Sequence, residues 1–151
     1  IVEFFDYRCG YCKRVLPTLL KAVKEDGNIR IIYKDLPILG AESVVASRAS
    51  LAAWQLAPEK YEAFHTALMA NKGSFSELKI RSIASELTID GNALIKSMKS
   101  IDIEFNLSEN LALAQSLGIS GTPAFIVGEK LIPGAVDLDT LKNLIKEARG
   151  S

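Results

Sequence analysis

The chain has 151 residues, of which 48% are hydrophobic and 24% charged, the composition of a soluble globular chain with enough length for one sizeable core. Lys plus Arg and Asp plus Glu balance at 18 each, so no net field recruits nucleic acid or an anionic membrane surface, and both are set aside as partners. The longest apolar runs, such as Ala124 to Val127, are far too short to span a bilayer.

The chain opens on Ile1 and enters an apolar run without a methionine or a basic leader, which reads as a processed or trimmed product. Val2-Glu3-Phe4-Phe5 predicts a buried strand, and Asp6-Tyr7-Arg8-Cys9-Gly10-Tyr11-Cys12 follows at once. From Gly10 to Glu25, Val15, Leu16, Leu19, Leu20 and Val23 recur at helical spacing. Pro17 falls inside that pattern and predicts a bend. Ile29 to Asp35 reads as a second strand after the Asp26-Gly27-Asn28 break. Strand, helix, strand in that order predicts a parallel βαβ unit with both cysteines on its connection.

A helical middle follows. Helix formers run from Ala41 to Gln55, and Pro58 suits a first turn ahead of Tyr61, Phe64 and Leu68. Ser74-Phe75-Ser76-Glu77 fits a capping box before Leu78, Ile80, Ile83, Ala84 and Leu87. Two more helices are predicted over Asp90 to Lys99 and Asp102 to Leu117, the second stopped by Gly118. The end returns to strands, Ala124 to Val127 and Lys130 to Ile132 across a Gly128-Glu129 turn, then a last helix capped by Asp137. The expectation is one α/β domain: a sheet of at least four strands in a frame of residues 1–39 and 102–151, interrupted by a helical insertion over 40–101.

The two cysteines stand two residues apart, and His65 is the sole histidine. Structural zinc needs four Cys or His ligands, and only three candidates exist. A purely structural disulfide here would close a loop too short to stabilise much. The redox reading remains. Disulfide exchange needs an accessible thiolate and a second thiol near enough to resolve the mixed disulfide. Cys9 precedes the first helical turn, where unpaired N–H groups and the helix dipole favour an anion, and Arg8 adds a cation beside it. Cys12 lies one turn into the helix. Position thus assigns Cys9 as attacking and Cys12 as resolving thiol.

Glu3 is the one polar residue between Ile1 and Phe5. Strand alternation could turn it to solvent; burial on both faces would instead raise its pKa and suit proton exchange with Cys12. Thr122-Pro123 precedes a strand, either as a simple turn or as a cis X-Pro bond with functional weight.

Taken together, Glu3-Phe4-Phe5, Cys9-Gly10-Tyr11-Cys12-Lys13-Arg14, Pro17 and Gly121-Thr122-Pro123-Ala124-Phe125 resemble the DsbA-like family of bacterial disulfide oxidoreductases, along the whole chain and closest to its Com1-like and ScsC-like branch. The resemblance implies a thioredoxin-like fold with an inserted helical subdomain. It also implies that Cys9 is the nucleophile, Cys12 its buried partner and Glu3 the acid beneath them. Pro123 would be a cis-proline and Thr122 the residue whose backbone pairs with the substrate chain. The family's usual strand before the one holding Glu3 is missing here, and Gly10-Tyr11 replaces the Pro-His of the best-known member, so strong oxidising power does not carry over.

The function expected is a thiol–disulfide oxidoreductase acting on reduced or unfolded proteins in the periplasm or another extracytoplasmic space, with a membrane redox partner that resets it. It needs no cofactor beyond the Cys9–Cys12 disulfide and no metal. A disulfide isomerase or reductase uses the same residues in the opposite direction, and a chaperone-like module would bind unfolded segments without turnover.

Overall fold

The computed structural model describes residues 1–150; Ser151, the last residue of the expected frame, lies outside them. Strand β1 (Val2–Phe5) pairs in parallel with β2 (Ile32–Asp35), from Val2 opposite Ile32 to Phe5 opposite Asp35. Helix α1 (Gly10–Asp26) makes the crossover between them. On its other side β1 pairs antiparallel with β3 (Ala124–Val127), placing Glu3 opposite Phe125, and β3 forms a hairpin with β4 (Lys130–Pro133). The sheet order is β2-β1-β3-β4. Between β2 and β3 come α2 (Ala41–Leu56), a 3₁₀ turn (Pro58–Lys60), α3 (Tyr61–Ala70), α4 (Glu77–Glu86), α5 (Gly91–Ser97) and α6 (Ile101–Ser116); α7 (Leu138–Ala148) follows β4.

Alternation along β1 decides what each helix covers. Glu3 and Phe5 share a face with their register partners Tyr33, Asp35 and Phe125. Phe125 packs in one cluster with Val15 and Leu19 of α1 and Leu141 and Ile145 of α7. Phe5 lies in a second cluster with Cys12 and Leu16 of α1 and with Ala46, Phe64, Leu68, Ile80 and Leu94 of the helices between β2 and α6. The opposite face carries Phe4 and Ala124, packed with Leu36 and with Ala114 of α6. Glu3 therefore points to the α1 side, into the layer that contains Cys12. Each large apolar side chain buried in these layers contributes roughly 1.5–3 kcal/mol.

Three boundaries differ from the sequence reading. Strand β2 starts at Ile32 rather than Ile29, because β1 offers ladder partners only from Val2 onward; Ile29 and Ile31 pack against the α1–α7 cluster without pairing. Ser76, not Ser74, caps α4, its hydroxyl accepting the Lys79 N–H. Ser100 caps α6, which begins at Ile101. Gly27 ends α1 at φ +73°, a left-handed geometry that glycine adopts without a Cβ clash.

Candidate functional site

The C-terminal end of β1 delivers Asp6, Tyr7 and Arg8 to the amino end of α1, and Cys9 is the N-cap of that helix. Its sulfur accepts the Cys12 N–H at 3.3 Å, one of the amide groups that the start of a helix leaves unpaired. The Cys9 thiol also reaches the Thr122 carbonyl at 3.3 Å. The Thr122–Pro123 peptide is cis, and the segment before β3 lies against Cys9 although 113 residues separate the two in the chain. A concavity of about 300 Å³ beside it is lined by Ile119, Thr122, Pro123, Leu131 and Pro133. Both cysteines are free thiols. Cys9 is 6% exposed and Cys12 fully buried, and burial above all holds the Cys12 thiol well above the ordinary thiol range.

Glu3 is buried, 1% exposed, and its Oε2 has no hydrogen-bond partner among the described residues. Burial alone raises its carboxyl to about 8 from an ordinary 4.5, so it is a protonated acid at neutral pH. The solvent-facing alternative for Glu3 does not hold. The expected Arg8 cation is exposed, with its guanidinium reaching toward Gly40, and its backbone N–H goes to Asp6 Oδ1 at 2.8 Å.

Sequence reasoning passed over Asp6. Its buried carboxylate accepts the Arg8 N–H, the Ile38 and Leu39 N–H groups at 2.8 and 3.0 Å, and the Ser43 hydroxyl at 2.7 Å. It ties the loop after β2 and the start of α2 to the turn that carries Cys9. A carboxylate closing an apolar strand three residues before the first cysteine was a legible signal; its partners Ile38, Leu39 and Ser43, over 30 residues away, were not. Beneath the site, Tyr7 donates to Ser50 Oγ at 2.7 Å and lies 2.7 Å from His65 Nδ1. Burial lowers His65 to about 3, keeping it neutral. Asp35, opposite Phe5 on β2, is buried with neither oxygen paired among the described residues, and burial chiefly raises it to about 7. Among the described residues no cluster of His, Cys, Asp and Glu is arranged to hold a metal ion.

A thiol capping a helix start, a second thiol buried one turn on, and a backbone segment alongside the first are parts that thiol–disulfide exchange requires. Comparison with known proteins agrees with that geometry. The family model of the DSBA-like thioredoxin domain matches residues 1–146. The chain is similar to the crystal structure of a thioredoxin-like oxidoreductase from Silicibacter pomeroyi, with 41% identity and a TM-score of 0.93, covering 99% of this chain and 86% of that one. It is similar to the thiol-disulfide exchange protein alpha-DsbA2 of Wolbachia pipientis, with 37% identity and a TM-score of 0.91, covering 97% and 79%. It is also similar to Proteus mirabilis ScsC, with 35% identity and a TM-score of 0.89, covering 99% and 82%. Among curated relatives it spans 23% of the Na(+)/H(+) antiporter NhaA 1 of Salinispora arenicola at 22% identity. It spans 72% of disulfide bond formation protein D of Bacillus subtilis at 25% identity.

Proposed function

This chain belongs to the DsbA-like thioredoxin-domain family of thiol–disulfide oxidoreductases, and we propose that it works in that family as a dithiol oxidase, donating a Cys9–Cys12 disulfide to reduced protein substrates outside the cytoplasm. Family members are periplasmic or extracytoplasmic, and among the described residues no helix is long and apolar enough to cross a membrane. The observation that carries the direction is the Cys12 N–H on the Cys9 sulfur at the amino end of α1. That contact favours negative charge on a sulfur which exists as a thiolate only in the reduced protein. A dithiol stabilised in this way makes the corresponding disulfide the better oxidant.

A substrate thiolate attacks Cys9 Sγ, a Cys9–substrate disulfide forms, and the Cys9–Cys12 bond breaks with its electron pair on Cys12. Burial disfavours charge on Cys12, so it takes up a proton, and Glu3, a neutral acid on the α1 side of β1, is the donor. A second substrate thiolate then attacks the substrate sulfur of the mixed disulfide and releases Cys9. The substrate leaves oxidised by two electrons and the protein reduced by two, and a membrane oxidant of the kind the family uses restores the disulfide. Thr122, whose carbonyl already meets Cys9, offers its backbone to the extended substrate chain, with Pro123 holding the segment in place.

The test is trapping and transfer. Cys12→Ser, first loaded at Cys9 as a mixed disulfide with glutathione, should exchange with a reduced, unfolded protein to accumulate a Cys9–substrate disulfide with release of glutathione, and Cys9→Ser treated in the same way should accumulate none. The oxidised wild-type protein should convert the dithiols of that substrate to disulfides. Trapping through Cys12 overturns the roles; a protein that reduces insulin disulfides yet leaves reduced substrates unoxidised overturns the direction.

A further inference from the structure

A second concavity, of about 530 Å³, is lined by Arg8, Lys13, Glu42, Asn71, Lys72 and Phe75. Arg8 immediately precedes Cys9, and Lys13 immediately follows Cys12. The wall of this concavity is thus built from the residues that flank the redox pair.

Its charge is lopsided. Arg8 and Lys72 are exposed, and among the described residues none of Arg8, Lys13 and Lys72 forms an ion pair with a carboxylate. Lys13 is fixed in place: its ammonium donates to the Asn71 carbonyl and stands 5.6 Å from the centre of the Phe75 ring. The one carboxylate on the wall, Glu42, is engaged through Oε2 by the Phe75 N–H at 3.2 Å. The buried Asp6 carboxylate behind the wall is occupied by four hydrogen bonds. Three cations converge on one hollow against a single lining anion, and a hollow so charged lowers the energy of a carboxylate placed in it. Lys13 registers the same excess. It is held below its ordinary value by burial first and by the Arg8 charge second, with Asp6 offsetting part of this.

We propose that this concavity binds a carboxylate side chain of the substrate polypeptide, so that the protein prefers substrates with acidic residues flanking the reacting cysteine. The proposal rests on the exchange reaction at Cys9 described above. An extended chain advances about 3.3 Å per residue, so a residue two or three positions from a cysteine bonded to Cys9 reaches past Arg8 into the hollow. Glutamate or aspartate there meets the three cations; lysine there is repelled by them.

The test uses unstructured dithiol peptides with Glu, Gln or Lys at the second and third positions on either side of a cysteine. Oxidation rates are measured with the disulfide form of the protein. At low ionic strength the Glu peptides should react roughly tenfold faster than the Lys peptides, in the range of electrostatically assisted association. Near 0.5 M salt, where screening acts within about 4 Å, the ratio should fall below about twofold. Lys72→Glu should shrink or invert the preference. A Glu-to-Lys ratio near one at low salt, or one that neither salt nor Lys72→Glu moves, overturns the subsite. The same peptides with serine in place of cysteine, titrated against isotopically labelled protein, report binding without chemistry. Amide shifts at residues 8, 13 and 72 with the Glu peptide and not the Lys peptide support the subsite, and equal or absent shifts overturn it. If no peptide, Gln included, is oxidised, the exchange reading fails while the titration still decides the subsite.

Discussion

Replacing Glu3 with Gln tests whether a buried acid really sits beneath the redox pair. The Glu3 carboxyl is raised to about 8 in the folded protein from an ordinary 4.5. Below pH 4.5 both folded and unfolded forms are protonated there, and the residue has no pH-dependent effect. As pH rises through 4.5 the unfolded chain ionises while the folded one keeps its proton, so the wild type loses stability by about 1.4 kcal/mol per pH unit. The loss reaches about 3 kcal/mol at pH 7 and levels near 5 kcal/mol above pH 8, where the folded protein ionises too. Gln is neutral throughout and escapes this loss. Its extra N–H groups add a penalty where no partner exists, but that penalty does not vary with pH. Urea melts of both reduced proteins, followed by circular dichroism from pH 4 to 9, measure the difference directly; contributions common to both, such as Asp35, cancel. The stability of Glu3→Gln relative to wild type should climb by about 3 kcal/mol between pH 4.5 and 7 and flatten above 8. Two curves that stay parallel across that range would show an ionised or solvated Glu3, and its assigned role as proton donor to Cys12 would fall with them.

Asp35 is raised to about 7 from 3.8 by the same cause, so Asp35→Asn should gain on the wild type as pH rises from about 4 to 7, by about 4 kcal/mol in all. Melts at pH 4 and 8 suffice, and an unchanged difference refutes the burial argument. Asp6 is the opposite case, an acceptor of four hydrogen bonds. Asp6→Ala should destabilise by roughly 3–5 kcal/mol and speed amide exchange at Ile38 and Leu39 well before global unfolding; protection left intact there would show that the loop is held by other contacts.

Much of this protein is set by local sequence. The helical spacing from Gly10 onward, the Asp90 and Asp137 caps, the Gly118 stop and the Gly128-Glu129 turn each act through residues a few positions apart. The corresponding elements appear within a residue or two of where those signals place them. The Cys9-x-x-Cys12 pair is local in the same sense: one helical turn brings the Cys12 N–H to the Cys9 sulfur. Strand β2 shows where local information ends, since Ile29 and Ile31 have strand-like side chains but no ladder partner, and pairing is a property of two segments. Glu3 shows it again. Sequence left open whether alternation turned it to water, and only the covering of its face by α1, through Phe125 against Val15 and Leu19, buried it and made it an acid near neutrality. Asp6 gathers Ile38, Leu39 and Ser43, Tyr7 gathers Ser50 and His65, and Thr122 reaches Cys9 across 113 residues. Such contacts are decided by the sheet register and by which helix covers which face. Desolvation and long-range hydrogen bonding depend on that packing, and no window of sequence contains it.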